Sequence, residues 1–566
     1  MTADALADFV RGPLDAESQA LLRRTFDDEV LDPRPDLTAA GRHALTHRRL
    51  RHVNTALGPG SALLGDRVRL DAAFGWAAVA DPALFHAMVL HYPLCLGVLL
   101  DLDPGTPEVA GAVAALEKLE AAGVLLLTEA GVSGSHLDPG TEAVHDPATG
   151  GFVLRTPRPE AAKFPTATGA PGVARIAAVY ARVIVAGADR GVFPFAVTVR
   201  GADGRVTPGV GVTPAAEAAG LPADYAAVTF DDVPVPYGAW LRGSARLDGG
   251  GFHDPLGSRP ARLARSLAMA RPVWRGIVSA CAAVTRAAVT MALAHTRHRR
   301  TAGGTPLMDF RRQRRDLLAA LADAYALTAL AGSFAEGDGA AVTGALTPWA
   351  LIDARLPALK AVAVSTAAAA VDVCRARCGA PANAATGRYT GYRALLDAYT
   401  SAGGDNLLIW LDTARALLDA PPPGASALEA RAREELAVAI ARDGDWNAHV
   451  HLAERAALAH ADRVLQDAFA ERAAAVAEPG ARDLLTRLAA LRGHALTLRR
   501  SGDLLETAVL SPSAIGRSRV ALDALCDGLA DRVPELTAAF GLPARLLDPV
   551  FGTPDFARAL IGGEVP

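Results

Sequence analysis

Apolar residues recur at helical spacing from the start of the chain to about residue 122. Leu21, Leu22 and Phe26 mark one face, and Ala-rich stretches at 72–80 and 107–121 continue the pattern. Pro82, Pro93 and Pro104 punctuate it. From 123 the period shortens. Gly123–Thr128, Gly150–Thr156, Ala178–Val185, Val192–Val199 and Ala227–Phe230 are short, β-rich runs, Asp203-Gly204 is a turn signal, and Val233–Pro236 reads as an edge. This spacing predicts roughly seven strands within a domain over 123–250. The helical period returns at 251–420, with helices expected over 261–296, 306–334 and 345–376. Pro421–Gly424 is a hard stop, and 425–566 is again amphipathic helix ending in Pro-rich loops. No repeat of 20–50 residues is found. The expected fold is mainly α with a central β-domain: an N-terminal helical domain (1–122), a barrel-like middle domain (123–250) and two helical domains (251–420 and 425–566).

A chain of 566 residues is expected to hold three or four units at roughly 100–200 residues each. With 51% hydrophobic and 21% charged residues it is an ordinary folded globule. Lys+Arg 57 against Asp+Glu 61 gives −4, so no global basic field points to a nucleic-acid partner. Lys118, Lys163 and Lys360 are the only lysines, and the arginine and alanine excess is that of a GC-rich genome. The acidic start resembles no signal peptide, and no run of 18 uncharged apolar residues predicts a membrane span. Five sparse cysteines read as reduced thiols of a cytoplasmic protein, and Gly562–Pro566 is no organelle address.

The chemistry lies in an ordered series of motifs. Leu127-Thr128-Glu129 leads into a small-residue loop ending at Gly134-Ser135, which places a hydroxyl and exposed backbone N–H groups at a strand end. His145–Pro157, Lys163-Phe164, Gly169 and Asp231–Pro236 follow. Each alone is an ordinary turn or strand end; coincidence of the whole order is improbable. The series resembles the acyl-CoA dehydrogenase and oxidase superfamily, and the chain is identified as a bacterial acyl-CoA oxidase-like member. The second half agrees. Ala292–Arg300 resembles the family's "A-x-R-Y-x-x-x-R" helix end, with His295 at the tyrosine and Arg299 at an arginine that reaches a neighbouring subunit's cofactor. Leu307–Gln313 resembles "L-x-D-Y-x-x-Q", and Cys374–Ala380 resembles "C-R-x-x-C-G-G". The helical tail beyond Pro421 matches oxidases rather than the shorter dehydrogenases. The resemblance implies FAD as cofactor, with Thr128, Gly169, Arg299, Gln313 and Asn406 binding it. It also implies a thioester substrate, acyl-CoA or acyl-carrier protein, near Gly134, Ser135 and Gly403.

Two metal readings fail. Cys374 and Cys378 share a helix face with no second ligand pair at zinc spacing. His449 and His451, with Glu454, sit at an i, i+2 spacing that points apart on a helix.

The departures matter most. The family's loop "T-x-E-G-D-N" carries the glutamate that removes the substrate's α-proton while the flavin takes the β-hydride. Gly404, Asp405 and Asn406 match its end, and Gly403 stands at the glutamate. Losing a positioned base forfeits roughly 10²–10⁴-fold in rate. Asp405 is a weak substitute, since the resemblance gives it a loop-capping role. The alternative helix position falls near Val273, in Arg271–Arg275, which has no acid. The backbone N–H of Gly403 could still hold a thioester carbonyl. The family's Gly-rich loop is Cys378-Gly379-Ala380-Pro381-Ala382, where proline removes a donor. Three readings stay open: a flavoenzyme on an acyl thioester with altered chemistry, a catalytically silent subunit paired with an active paralogue, and a plain acyl-CoA oxidase. The resemblance favours a homodimer.

Overall fold

The computed structural model describes residues 2–34, 36–132, 134–216, 220–249, 251–334, 347, 349–383 and 388–561. Its N-terminal helices are α1 Thr2–Arg11, α2 Ala16–Phe26, α3 Ala39–Leu57, α4 Gly60–Gly65, α5 Arg67–Ala80, α6 Pro82–His91, α7 Val98–Asp101 and α8 Pro107–Glu117. The strands are β1 Ala122–Leu126, β2 Glu142–His145, β3 Phe152–Arg155, β4 Lys163–Ala167, β5 Arg175–Val185, β6 Ala188–Arg200, β7 Val210–Pro214, β8 Tyr225–Phe230, β9 Val233–Val235, β10 Arg246–Asp248 and β11 Gly251–His253. Helices then resume with α9 Arg259–Ser266, α10 Ala270–His298, α11 Arg311–Ala331, α12 Leu356–Cys378, α13 Arg388–Ser401 and α14 Asn406–Asp419. The tail adds α15 Ala427–Asp443, α16 Val450–Ala474, α17 Pro479–Arg499, α18 Ser501–Glu506, α19 Pro512–Leu529, α20 Val533–Ala538, α21 Pro549–Gly552 and α22 Phe556–Leu560. The protein is mainly helical with a central, curled β-sheet domain.

The strand β5 organises that sheet. It pairs in parallel with β1 and β2 and antiparallel with β6, while β3 and β9 extend the same sheet. The hairpin β5–β6 turns through Ala186 and Gly187, both at positive φ, the geometry whose twist suits a two-residue hairpin. A second sheet runs β4-β8-β7. Phe152, Phe193, Phe195 and Trp240 fill the sheet's own core. Eleven strands are described instead of about seven, because short ladders such as β10–β11 form in stretches too polar to stand out in the sequence.

The helices of both chain halves share one other core, and α10 is its axis. At 29 residues it is apolar on nearly every side, so it has to be covered by α5, α11 and α12 rather than lie on a surface. The single helix expected over 261–296 is in fact two. Ser258 caps α9, which is tied to the sheet through Ser266 Oγ to Val192 O (3.0 Å) and Tyr180 OH to Ser266 O (2.7 Å). The chain then turns at 267–269 to enter the helical core. The helix expected over 345–376 begins at Leu356; residues 345, 346 and 348 lie outside the described residues, as do 562–566. Three stretches, Pro82–Asp101, Ala270–His298 and Leu356–Cys378, are long and apolar enough to cross a membrane by length and composition. Most of each is buried against other elements.

A polar cluster joins the N-terminal helices to the sheet. Arg175 pairs with Asp224 (2.6 Å) and donates to His47 Nε2 (2.8 Å). His91 Nδ1 accepts from Gly123 N–H (2.9 Å), and His86 Nδ1 meets Tyr399 OH (3.0 Å). Burial, together with Arg175 for His47 and His91, pushes His47 and His91 down to about 3. Burial brings His86 to about 4. These rings are neutral in the fold, while the unfolded chain takes up protons below about 6.5. Their contribution to stability is therefore complete above pH 6.5 and is lost as the pH falls toward 4. Thermal unfolding followed across that range is expected to show the fall, with a shallower slope in His91→Asn; a midpoint constant from pH 7 to 4 would contradict it.

Candidate functional site

The strand-end loop after β1 is held by a buried ion pair. Lys163 Nζ reaches Glu129 Oε1 (2.8 Å) and Leu127 O (3.1 Å). Glu129 also accepts from Gly140 N–H, Thr141 N–H and Thr141 Oγ1. Burial alone would raise Glu129, but Lys163 and the two N–H donors hold it below the ordinary range. Burial brings Lys163 down to about 8, against the pull of Glu129. Four donors on one carboxylate favour its charged form, so the loop is clamped by charge.

Thr128 sits beside this clamp, with Oγ1 donating to Phe164 O (2.9 Å). Ser135 is buried and its hydroxyl accepts from Glu129 N–H (2.8 Å), so it points into the loop. Gly134 has φ +69° and open space where a Cβ would stand, which leaves its backbone approachable. Gly169 has a structural cause. A Cβ there would lie 2.9 and 3.0 Å from the carbonyl oxygens of Asp224 and Tyr225, so glycine is what lets the chain leaving β4 close on β8.

Gly403 and Gly404 join α13 to α14. Both have positive φ, +69° and +98°. Trp274 Nε1 on α10 donates to Gly403 O (2.9 Å), and Lys360 Nζ on α12 donates to Gly404 O (2.8 Å) and Asn406 Oδ1 (3.0 Å). A Cβ at Gly403 would lie 3.2 Å from Ile277 Cδ1, and one at Gly404 would lie 2.7 Å from Trp349 Cδ1. Asp405 caps α14, its Oδ1 accepting from Leu407 and Leu408 N–H. Its carboxylate is exposed and directed at its own helix. Trp349 meets Trp274 edge-on at 6.0 Å and stacks on His136 at 5.1 Å. The strand-end loop is thus linked to the Gly403 loop by an aromatic chain. Burial lowers His136 to about 4, so its ring is neutral, and its buried Nδ1 has no hydrogen-bond partner among the described residues.

Arg299 and Gln313 lie elsewhere. Arg299 Nη1 donates to Cys378 O (3.0 Å) and Gln313 Nε2 to Arg377 O (2.9 Å), so both cap the negative end of α12. Lys360 and Cys378 are eighteen residues apart on α12, which separates this end from the Gly403 loop by ~27 Å. His295 is buried between Phe551 (5.3 Å) and Phe556 (5.0 Å). Burial and the neighbouring Arg299 bring it to about 4. The sequence motifs therefore gather into two groups: Thr128, Gly134, Ser135, Gly169, Gly403 and Asn406 on one side, Arg299 and Gln313 on the other.

The second group fits a dinucleotide's pyrophosphate. Arg299 is half-buried and, among the described residues, makes its hydrogen bonds through Nη1 alone, which leaves Nε and Nη2 for an anion. The tail histidines are engaged in pairs, His449 with Asp443 and His460 with Glu429. Lys360, Trp274, Trp349 and His136 carry the Gly403 site without belonging to any motif. The scarcity of lysine was the one signal for Lys360, and no spacing rule marks the aromatic chain.

Residues 272–418 match the acyl-CoA oxidase C-alpha1 domain, and 425–555 match the acyl-CoA oxidase family model. A mouse acyl-coenzyme A oxidase-like protein is 23% identical over 489 residues, covering 76% of this chain and 77% of that protein. The Arabidopsis thaliana acyl-CoA oxidase 1 structure aligns with TM-score 0.81 at 20% identity, over 100% of this chain and 95% of that one. Acyl-CoA oxidase-2 of Caenorhabditis elegans, solved with FAD, ascaroside-CoA and ATP, aligns with TM-score 0.80 at 18% identity, over 100% and 94%.

Two variants test this geometry. Lys360→Met leaves Gly404 O and Asn406 without their donor and is expected to cost about 1–3 kcal/mol in urea unfolding. Gly403→Glu has to accept a left-handed backbone beside Ile277 and is expected to lose about 1–3 kcal/mol as well. Native-like stability in either would show that the loop is not held as described. The chain has the fold of the solved acyl-CoA oxidases along its whole length, and residues 272–418 and 425–555 match acyl-CoA oxidase family models.

Proposed function

We propose that the protein is a flavin-dependent oxidoreductase acting on an acyl thioester, acyl-CoA or acyl-carrier protein, by a reaction that does not use a carboxylate at position 403. The family matches support the flavin and the thioester, and Gly403 carries the departure. FAD, when bound, supplies the hydride acceptor. Thr128 and the Gly134 backbone would hold it on the strand-end side, with Arg299 and Gln313 on its pyrophosphate. The ~27 Å along α12 between the Gly403 loop and Arg299 exceeds the reach from a flavin ring to its pyrophosphate, which supports a homodimer whose copies each complete the other's site. The Gly403 N–H needs no side chain to orient a thioester carbonyl. The His136 imidazole, joined to the loop through Trp349, is held neutral by burial and can offer a hydrogen bond there rather than a positive charge. Reduced thiols support a cytoplasmic setting, and the arginine-rich composition a bacterial source.

A second reading is favoured by one observation. Ile277, Trp274 and Trp349 fill the side-chain space at Gly403 and Gly404, as expected of a catalytically silent subunit beside an active paralogue.

Purified protein is expected to carry visible flavin absorption, and Arg299→Met to weaken FAD retention at least tenfold. Anaerobic mixing with a saturated acyl-CoA should bleach the flavin about 10²–10⁴-fold more slowly than in an oxidase that has the glutamate. Rapid bleaching would overturn the altered-chemistry reading. A colourless protein that takes up no FAD would leave the silent-subunit reading.

A further inference from the structure

A second cavity lies on another side of α10. Its volume is about 710 Å³, the size of a small-molecule site, and α1, α2, α5, α10, α11 and α16 contribute to its wall. Six arginines line it: Arg275, Arg286 and Arg472 inside, and the exposed Arg11, Arg23 and Arg67 at the rim. The lining acids are Asp66 and Asp71. Asp71 pairs with Arg275 (3.2 Å), Asp66 caps α5 and pairs with Arg69, and Arg11 pairs with Asp8. Arg23, Arg67, Arg286 and Arg472 make no ion pair among the described residues.

The two inner cations are placed side by side. Arg286 Nη1 donates to Thr328 Oγ1 (2.9 Å), and Arg472 Nη1 donates to the same residue's carbonyl (3.0 Å). Arg472 also donates to Phe9 O and lies over the Phe9 ring at 4.5 Å. Gly12 makes room for its guanidinium: at φ +66° a Cβ there would stand 3.2 Å from Arg472 Nη2. Arg286 Nε is buried with no acceptor. Two adjacent guanidiniums drawn out of water without a counter-ion are unfavourable, and none pairs with them among the described residues. Burial, and the nearby Arg472, already lower Arg286 to about 10. Apolar side chains, Trp76, Phe540 and Leu542 among them, make up much of the remaining wall, beside Gln19, Ser279 and Thr328.

We propose that this cavity binds a small amphipathic anion, its carboxylate or phosphate head between Arg286 and Arg472 and its apolar body against Trp76 and Phe540. The rim arginines draw the anion in, and the paired inner arginines hold it. The site stands apart from the Gly403 loop, because Trp274 and Ile277 leave α10 on a different face from Arg275, Ser279 and Arg286.

Isothermal titration of the full chain with decanoate, decyl phosphate, inorganic phosphate and decanol tests it. Decanoate or decyl phosphate should bind at least tenfold more tightly than inorganic phosphate, and decanol should not bind. The stronger of the two anions names the head group. Arg286→Met should weaken binding at least tenfold. The exposed pair Arg23→Ser and Arg67→Ser, which leaves the core untouched, should weaken it severalfold and flatten its salt dependence. Absence of binding by both amphiphilic anions at millimolar concentration would overturn the proposal. So would equal binding of decanol, or variants that bind as the native chain does. None of these readings depends on flavin content.

Discussion

The constraint on which the molecule depends is the burial of α10. A helix of 29 residues with apolar side chains on nearly every face has no surface position open to it. It has to be wrapped, and no single domain of this chain is large enough to do so. The wrapping is shared between α5 from the N-terminal end, α11 and α12 from the middle, and α20 and α21 from the tail. That explains why the helices at both ends of the chain form one core while the sheet keeps another. It also sets the functional geography. Trp274 and Ile277 on α10 meet the Gly403 loop, Arg275 and Arg286 face the arginine cavity, and His295 and Arg299 close the far end.

Charge buried in this apolar frame does specific work on backbone. Lys163 and Lys360 are both fully buried, and neither is placed to meet a ligand. Lys163 answers Glu129 and clamps the strand-end loop. Lys360 holds two acceptors at the start of α14; burial lowers it to about 7, with Cys281 and Asp405 pulling the other way. Desolvating an ammonium is costly, so its presence reports acceptors that have no other donor. The outcome is a rigid loop at Gly403 and Gly404 whose carbonyls are taken and whose side-chain space is filled with tryptophan and isoleucine. A side chain at 403 would have to press Ile277 aside and accept a left-handed backbone.

Legibility followed the range of the interactions. The order of helices, sheet and helices was readable because each element advertises itself by local periodicity. The break at 267–269 was not, since it arises from Ser266 and Tyr180 bonding to and within the sheet while α10 turns into the helical core. Gly169 was singled out only as a flavin-side glycine by resemblance; that the backbone of β8 also requires a glycine there is visible only in the fold. Arg299 and Gln313 stood out in two separate motifs; that both cap α12 required the fold. His136 and Trp349 are 213 residues apart in sequence and in ring contact, a relation no motif carries.

The sequence by itself determined the helical and strand periods, the Pro421 stop, the reduced cysteines and the glycine at position 403. These are properties of single residues or of neighbours a few positions apart, and local sterics and amphipathicity decide them. Only the tertiary structure decided which charges are answered. Lys163 found Glu129, Lys360 found a backbone and an amide oxygen, and Arg286 and Arg472 came together at Thr328. Pairing energies of buried groups depend on distance and on exclusion of water, and both come into being only when distant segments pack.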